Sequence, residues 1–341
     1  AAPTQAAALP APESVPGHPL EQSAPGALKI YPLASKAQGM VSLGEKLLLL
    51  SGEDETRLTL LDRDTLEGLA AYSLPFALAP EGLHLDTGTL SCFDPVRRET
   101  LVLSTRLTEI SRIAAPEGLI GSPIYSGEDN TLYYCTAGAI RAWDLGSGIR
   151  RCVREQSYES QVLTGVHPGG ILQCQVEDGG EKRTQFLSGK TGALLQESAG
   201  DVRLTVKSGG YFASVPEGSV RPSLFGQTGK APRQLTPRDI FADCVFLPGE
   251  NRAVSVSEDL TLDCYDLETG RRTNTLKFIG QYQVLSVAFQ GDAGLWLLLR
   301  DIAGDEVLCL WDLDADGTSV DSVQVYTGPR YTRDAPDTAG L

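Results

Sequence analysis

Trp143-Asp144-Leu145-Gly146-Ser147-Gly148 and Tyr265-Asp266-Leu267-Glu268-Thr269-Gly270 share one form: an aromatic residue, then Asp-Leu, then a short polar run closed by Gly. An Asp or Ser at such a place can accept bonds from the backbone amides ahead of it, and Gly supplies the positive φ that closes a hairpin. A third copy opens at Trp311-Asp312-Leu313-Asp314. Weaker marks stand at Leu61-Asp62, Leu103-Ser104, Leu187-Ser188-Gly189-Lys190-Thr191-Gly192 and Leu224-Phe225-Gly226-Gln227-Thr228-Gly229. The marked positions, 62, 104, 144, 188, 225, 266 and 312, are spaced by 42, 40, 44, 37, 41 and 46 residues. Seven such units predict an all-β chain built as a radial array of four-stranded antiparallel sheets.

That array is a seven-bladed β-propeller, and the unit ending at Asp266 gives its plan. An inner strand at Ala242–Phe246 leads through a Leu247–Asn251 turn to a second strand at Arg252–Ser257; Leu260–Tyr265 is the third and Thr273–Phe278 the outer one. The seventh unit repeats this with Val284–Phe289, Leu295–Leu299 and Val307–Trp311, and Lys46–Leu50 and Thr131–Cys135 read as second strands of the first and third. In the second unit the even spacing puts the terminal mark at Ser104, leaving Asp94-Pro95-Val96-Arg97-Arg98 as the turn between strands two and three. Gly is missing at Leu66 in the first turn, and the Asp is missing at Phe225 in the fifth. An unpaired edge would invite aggregation. Ala27–Tyr31 is therefore expected to pair with the last blade, and Ser319–Tyr326 to meet it there and close the ring.

The repeats occupy residues 27–327 as one domain, with a loose tail at 328–341. Residues 1–26 hold six prolines and seven alanines without apolar periodicity, the composition of a solvated tether. The net charge of −15 repels phosphate backbones and anionic membrane surfaces, so nucleic acid is excluded as an expected partner. No run of 18 apolar residues is present, so no transmembrane helix is expected. The seven cysteines (Cys92, Cys135, Cys152, Cys174, Cys244, Cys264, Cys309) form no C-x-x-C pair and fall in strand segments, where free thiols are expected to be buried. Only His18, His84 and His167 could assist a zinc site, and none is clustered with cysteines.

Residues 246–270, with Phe-x-Pro-Gly, Ser-x-Ser-x-Asp and Tyr-Asp-Leu-x-Thr-Gly, resemble the WD-repeat family, as do Ser286-Val287-Ala288-Phe289 and Trp311-Asp312. The Gly-His pair of that family is absent. Ser188-Gly189-Lys190-Thr191-Gly192 resembles the turns of quinoprotein-type propellers. The resemblance covers about 290 residues as architecture and implies a binding platform without naming its ligand. The tether resembles those that follow a signal peptide or lipid-bearing cysteine in exported bacterial proteins. This, with a first residue other than Met, implies an extracellular or cell-surface protein, with a lipid anchor upstream; a cytoplasmic protein with a disordered tail is the alternative.

Catalytic motifs are sparse. There is no G-x-S-x-G elbow and no H-E-x-x-H, and Gly189-Lys190-Thr191 lacks the first Gly of a phosphate loop because Thr184 stands there. Asp312, Asp314 and Asp316, with Gly317 in sixth place, match the start of a calcium loop, although Val323 replaces the closing Glu and the run doubles as a hairpin turn. A metal-free turn with no cofactor is the expectation, and calcium the alternative. Trp143, Trp296 and Trp311 fall on strands, where core packing rather than a quinone pocket is expected.

Ligands of such arrays meet the loops that enter each inner strand. Those loops carry Lys36 and Gln38, Ser122, Tyr158 and Glu159, Asp201, Arg238 and Asp239, and Tyr282 and Gln283. Tyr158 and Tyr282 are expected as aromatic anchors, with Arg238 and Lys36 as charged handles. The expectation is a monomeric, non-catalytic propeller that binds a protein or small molecule. The alternative is a lyase or glycoside-cleaving enzyme with an acidic pair at the channel mouth.

Overall fold

The computed structural model describes residues 28–33, 36–155, 158–167, 169–199, 211–214, 223–226, 233–234, 245–248, 252–256, 260–266, 271–278, 282–291, 293–302, 304–314 and 320–323. Most of these residues are in strands, and the one helical element among them is a 3₁₀ turn at Pro80–Gly82. Strand β1 is Leu28–Pro32. The first sheet holds β2 (Gly39–Ser42), β3 (Lys46–Ser51), β4 (Thr56–Asp62) and β5 (Gly68–Leu74), and the second holds β6 (His84–Asp86), β7 (Thr89–Asp94), β8 (Glu99–Ser104) and β9 (Glu109–Ala114). The third is β10 (Ile120–Ser126), β11 (Thr131–Thr136), β12 (Ala139–Asp144) and β13 (Arg150–Glu155); the fourth is β14 (Ser160–His167), β15 (Ile171–Asp178), β16 (Glu181–Ser188) and β17 (Leu194–Ala199). The fifth comprises β18 (Tyr211–Ser214), β19 (Ser223–Gly226) and β20 (Arg233–Gln234). The sixth has β21 (Val245–Pro248), β22 (Arg252–Val256), β23 (Thr261–Asp266) and β24 (Arg272–Phe278), and the seventh has β25 (Tyr282–Gln290), β26 (Gly294–Asp301) and β27 (Glu306–Asp312). A last strand, β28 (Val320–Val323), follows.

The second strands explain how the sheets associate. Leu47 to Leu50 are buried on both faces of β3. Because side chains alternate along a strand, Leu48 and Leu50 pack on Leu90, Leu101 and Leu103 of the second sheet. Leu47 and Leu49 pack on Trp296, Leu298 and Leu308 of the seventh. β26 repeats the pattern: Leu295, Leu297 and Leu299 face the sixth sheet, and Trp296 and Leu298 face the first. Each such Leu contributes roughly 1.5–3 kcal/mol when fully buried. Further clusters join the second sheet to the third and the third to the fourth. First strands converge: β6 approaches β10 and β14, β2 approaches β25, and β18 approaches β21.

The polar turns form as the sequence requires. Asp62 Oδ1 accepts the amides of Asp64 and Thr65 at 3.0 and 2.9 Å, and Asp144 Oδ1 accepts those of Gly146 and Ser147 at 2.8 and 3.0 Å. These backbone donors hold both carboxyls below the usual range. Asp94 Oδ1 caps the β7–β8 turn at Val96 and Arg97, and Ser104 Oγ caps the β8–β9 turn, so the second unit is divided as expected. Gly148 and Gly192 supply φ values of +75° and +71°, while Leu66 and Leu107 take φ 59° and 60° in the first and second units without glycine. Gly192 has a second reason to lack a side chain, because a Cβ would sit 2.0 Å from Val153 O in the neighbouring sheet.

β1 pairs antiparallel with β27, from Leu28↔Trp311 to Pro32↔Val307, and completes the seventh sheet. The C-terminal strand does not meet it there: β28 pairs parallel with β24, with Leu276↔Val320 and Phe278↔Val323, as a fifth strand of the sixth sheet. The physical reason is occupancy, since β1 already covers the outer edge of β27. The first strand of the sixth sheet begins at Val245 and continues through Pro248 where a turn was expected, and Ala242–Cys244 lie outside the described residues. Cys92, Cys135, Cys174, Cys264 and Cys309 are buried free thiols, whereas Cys152 is exposed. It lies on β13, an outer strand with most of its surface in solvent; Cys244 lies outside the described residues. Burial pushes the Cys92 and Cys264 thiols up to about 12 and about 11. Trp296 and Trp311 are fully buried, as expected of core residues.

Candidate functional site

The loop residues expected at the channel mouth are only partly described. Lys36, Glu159 and Gln283 are exposed beside the starts of β2, β14 and β25, and Ser122 is exposed within β10. Asp201, Arg238 and Asp239 lie outside the described residues. Both tyrosines are half-buried. Tyr158 OH accepts a bond from Gln185 Nε2 at 2.9 Å, and Tyr282 packs on the cluster of the sixth and seventh sheets with its ring edge-on to Phe278 at 6.2 Å. Sequence spacing places such side chains at a loop, but it does not reveal the neighbours that draw them inward.

The opposite ends of the inner strands carry a constellation that the repeat pattern does not mark. Asp86, at the end of β6, is buried; its Oδ2 accepts Ser126 Oγ at 2.8 Å and its Oδ1 accepts Thr87 Oγ1 at 2.8 Å. Ser126 ends β10. Glu128, just beyond it, accepts the amide of Gly169 at 2.8 Å, so second, third and fourth sheets are tied in series. His167 Nε2 lies 2.9 Å from Gln173 Oε1, an acceptor that selects the Nε2-protonated tautomer. Burial pushes the His84 ring down to about 4, and the charge of His167 acts in the same direction. Burial also lowers His167, against the opposing pull of Gln173 and Asp86. At neutral pH the pair is therefore two uncharged imidazoles, able to hydrogen-bond a polar ligand and charged only by acidification. The missed signal was modest: His84 opens the short first strand of unit two and His167 ends that of unit four.

A cavity of about 390 Å³ opens at the seam of the first and seventh sheets, lined by Lys29, Tyr31, Arg63, Asp64, Gln290 and Asp312 among others. Of the calcium-loop residues, Asp312 Oδ1 accepts the amide of Asp314 at 3.0 Å, while Asp314 Oδ1 receives Arg252 Nη2 at 2.9 Å. Asp316 lies outside the described residues. Among the described residues no three of His, Cys, Asp and Glu are grouped to hold a metal ion, and no helix is long and apolar enough to cross a membrane.

No protein-family model matches the chain, and no curated protein sequence does either. Solved structures do. Raptor of Chaetomium thermophilum is similar at 14% identity and TM-score 0.57 over 83% of this chain, which spans 28% of the Raptor chain. KlHsv2 carrying a Gly-Ser linker in place of loop 6CD matches at 12% identity and TM-score 0.53, over 78% of this chain and 90% of its own. The computationally designed Ika8 protein matches at 13% and 0.52, over 83% and 98%. At these identities the likeness concerns fold alone: with several four-stranded antiparallel sheets, it is compatible with a β-propeller of the WD40-like kind.

Proposed function

We propose that the chain is a closed seven-bladed propeller acting as a non-catalytic platform for a protein or small-molecule ligand. Closure is supported at the first–seventh seam, where β1 completes the last sheet. There Glu306 accepts the Ala37 amide, and Ser286 Oγ lies 3.2 Å from Met40 N. The observation that carries the binding role is a recurrent exposed apolar residue where the outer strand begins. Leu69, Ile110, Ile149 and Leu194 follow the third-strand turns of sheets one to four, and their exposures lie between 43% and 62%. Exposed apolar side chains repeated at the same position of successive sheets suit partner contact better than solvent. Export of a monomer to the cell surface belongs to the same proposal, on the tether alone.

The test is a panel of displayed peptides selected on the purified chain, with affinities measured by calorimetry for it and for a variant with the four residues changed to Ser. Loss of binding in the variant is expected. Release of unsaturated or reducing sugar ends from a polysaccharide panel by the purified chain would overturn the non-catalytic reading.

A further inference from the structure

In a chain of net charge −15, arginine gathers on the outer half of the third sheet. Arg141 on β12 and Arg150 on β13 share one face, Arg141 opposite Cys152 and Trp143 opposite Arg150, whereas Arg151, opposite Ala142, and Arg154, opposite Ile140, lie on the other face toward the fourth sheet. Among the described residues, none of the four has a carboxylate within ion-pair distance. Several arginines elsewhere do: Arg112 meets Glu109 at 2.9 Å, Arg183 meets Glu181 at 3.0 Å and Arg300 meets Glu306 at 2.6 Å, while Arg57, Arg98 and Arg106 stand singly without an ion pair among the described residues.

The four are positioned by neutral groups. Arg151 Nη2 donates to Gly189 O at 2.6 Å, Arg154 Nη1 donates to Gly192 O at 3.1 Å, and Arg141 Nε donates to Thr136 Oγ1 at 3.1 Å. The Arg150 guanidinium stacks 4.2 Å above the Trp143 ring. Such contacts fix the side chains while leaving their charge uncompensated, and the planar fork then matches a carboxylate. The nearest acids are engaged elsewhere: Asp144 accepts the amides of its own turn, and Asp129 accepts the Tyr133 hydroxyl at 2.7 Å on the Arg151 side. Exposed Ile149 adds an apolar foothold beside Arg150.

We propose that the face of the third sheet bearing Arg141, Trp143 and Arg150, with Arg151 at its margin beside the fourth sheet, docks an extended acidic segment of a protein partner. The proposal deepens the binding reading above and rests on it. A short acidic segment feels mainly charges within about 8 Å in physiological salt, so it meets the arginines rather than the net charge. A long polyanion such as DNA would meet the acidic surface as well.

The experiment titrates a short poly-L-glutamate peptide into the full chain in low salt. Calorimetry and tryptophan fluorescence are read together, because half-buried Trp143 lies under Arg150. Saturable binding is expected, weakened roughly five- to thirtyfold in R141Q/R150Q, from up to about 1 kcal/mol per surface charge pair. It should be unchanged in R98Q/R106Q, which removes two exposed arginines from turns of the second sheet. Equal unfolding midpoints confirm that the variants fold. Equal binding by R141Q/R150Q, no binding by the parent chain, or tighter binding of a single-stranded oligonucleotide each overturns the proposal. If displayed peptides bind the chain and R141Q/R150Q alike, the docking face falls while the platform reading stands.

Discussion

Replacement of Glu306 by Ala should open the seam between the first and last sheets. Its side chain is buried, and its Oε1 receives Arg300 Nε at 2.9 Å and Nη2 at 2.6 Å while its Oε2 receives the Ala37 amide. Removing one member of a buried pair costs about 3–5 kcal/mol. Arg300 is one-third exposed and can rehydrate, which lowers its share, but the Ala37 amide loses an acceptor worth about 1–3 kcal/mol when left unsatisfied. The two considerations converge on about 3 kcal/mol, or roughly a hundredfold in the unfolding constant. Urea denaturation followed by tryptophan fluorescence measures it, since Trp296 sits in the cluster across this seam. Limited proteolysis should show earlier cutting before β2. Arg300→Met leaves the buried Glu306 carboxylate without its counter-charge and should cost at least as much as Glu306→Ala, and the double variant less than the sum. A loss below about 0.5 kcal/mol, the scale of an ordinary surface change, would refute the view that this carboxylate staples first sheet to last.

Two other expectations are simpler. Because the His84 ring is held at about 4 in the folded chain against 6.5 ordinarily, its contribution is fully present above pH 6.5. It falls as pH drops from 6.5 to 4 and is lost below 4. Two and a half units give about 3 kcal/mol as an upper value, since the ring keeps some surface; stability measured against pH for His84→Gln should be flatter over that interval, and an unchanged curve would count against it. Calcium at millimolar concentration should leave the unfolding temperature unchanged, because Asp312 caps its own turn and Asp314 is paired with Arg252. A rise of several degrees, abolished in Asp314→Asn, would establish the metal instead.

What could be read from sequence was local. Asp62, Asp94, Ser104 and Asp144 define their turns by bonds to amides two to four residues ahead, so their chemistry is visible in a short window. The all-apolar runs at Leu47–Leu50 and Leu295–Leu299 declare strands buried on both faces. What escaped is non-local. Tyr158 turns toward Gln185, 27 residues on, and the link from Asp86 to Ser126 spans a whole unit. β28 settled on the sixth sheet because β1 had filled the seventh, a competition between two distant segments that no window of sequence contains.

The place of β1 has a consequence for the order of assembly. Leu28 pairs with Trp311, so the first described strand waits for a partner 283 residues behind it. At roughly 5–20 residues per second of translation, that interval is about 15–60 s. Through that time every intermediate lacks its last lateral contact, and sheets one to four can pack in sequence while the seventh cannot be finished. Synthesis of β27, rather than any single folding step, then sets the earliest moment at which the seventh sheet can be completed.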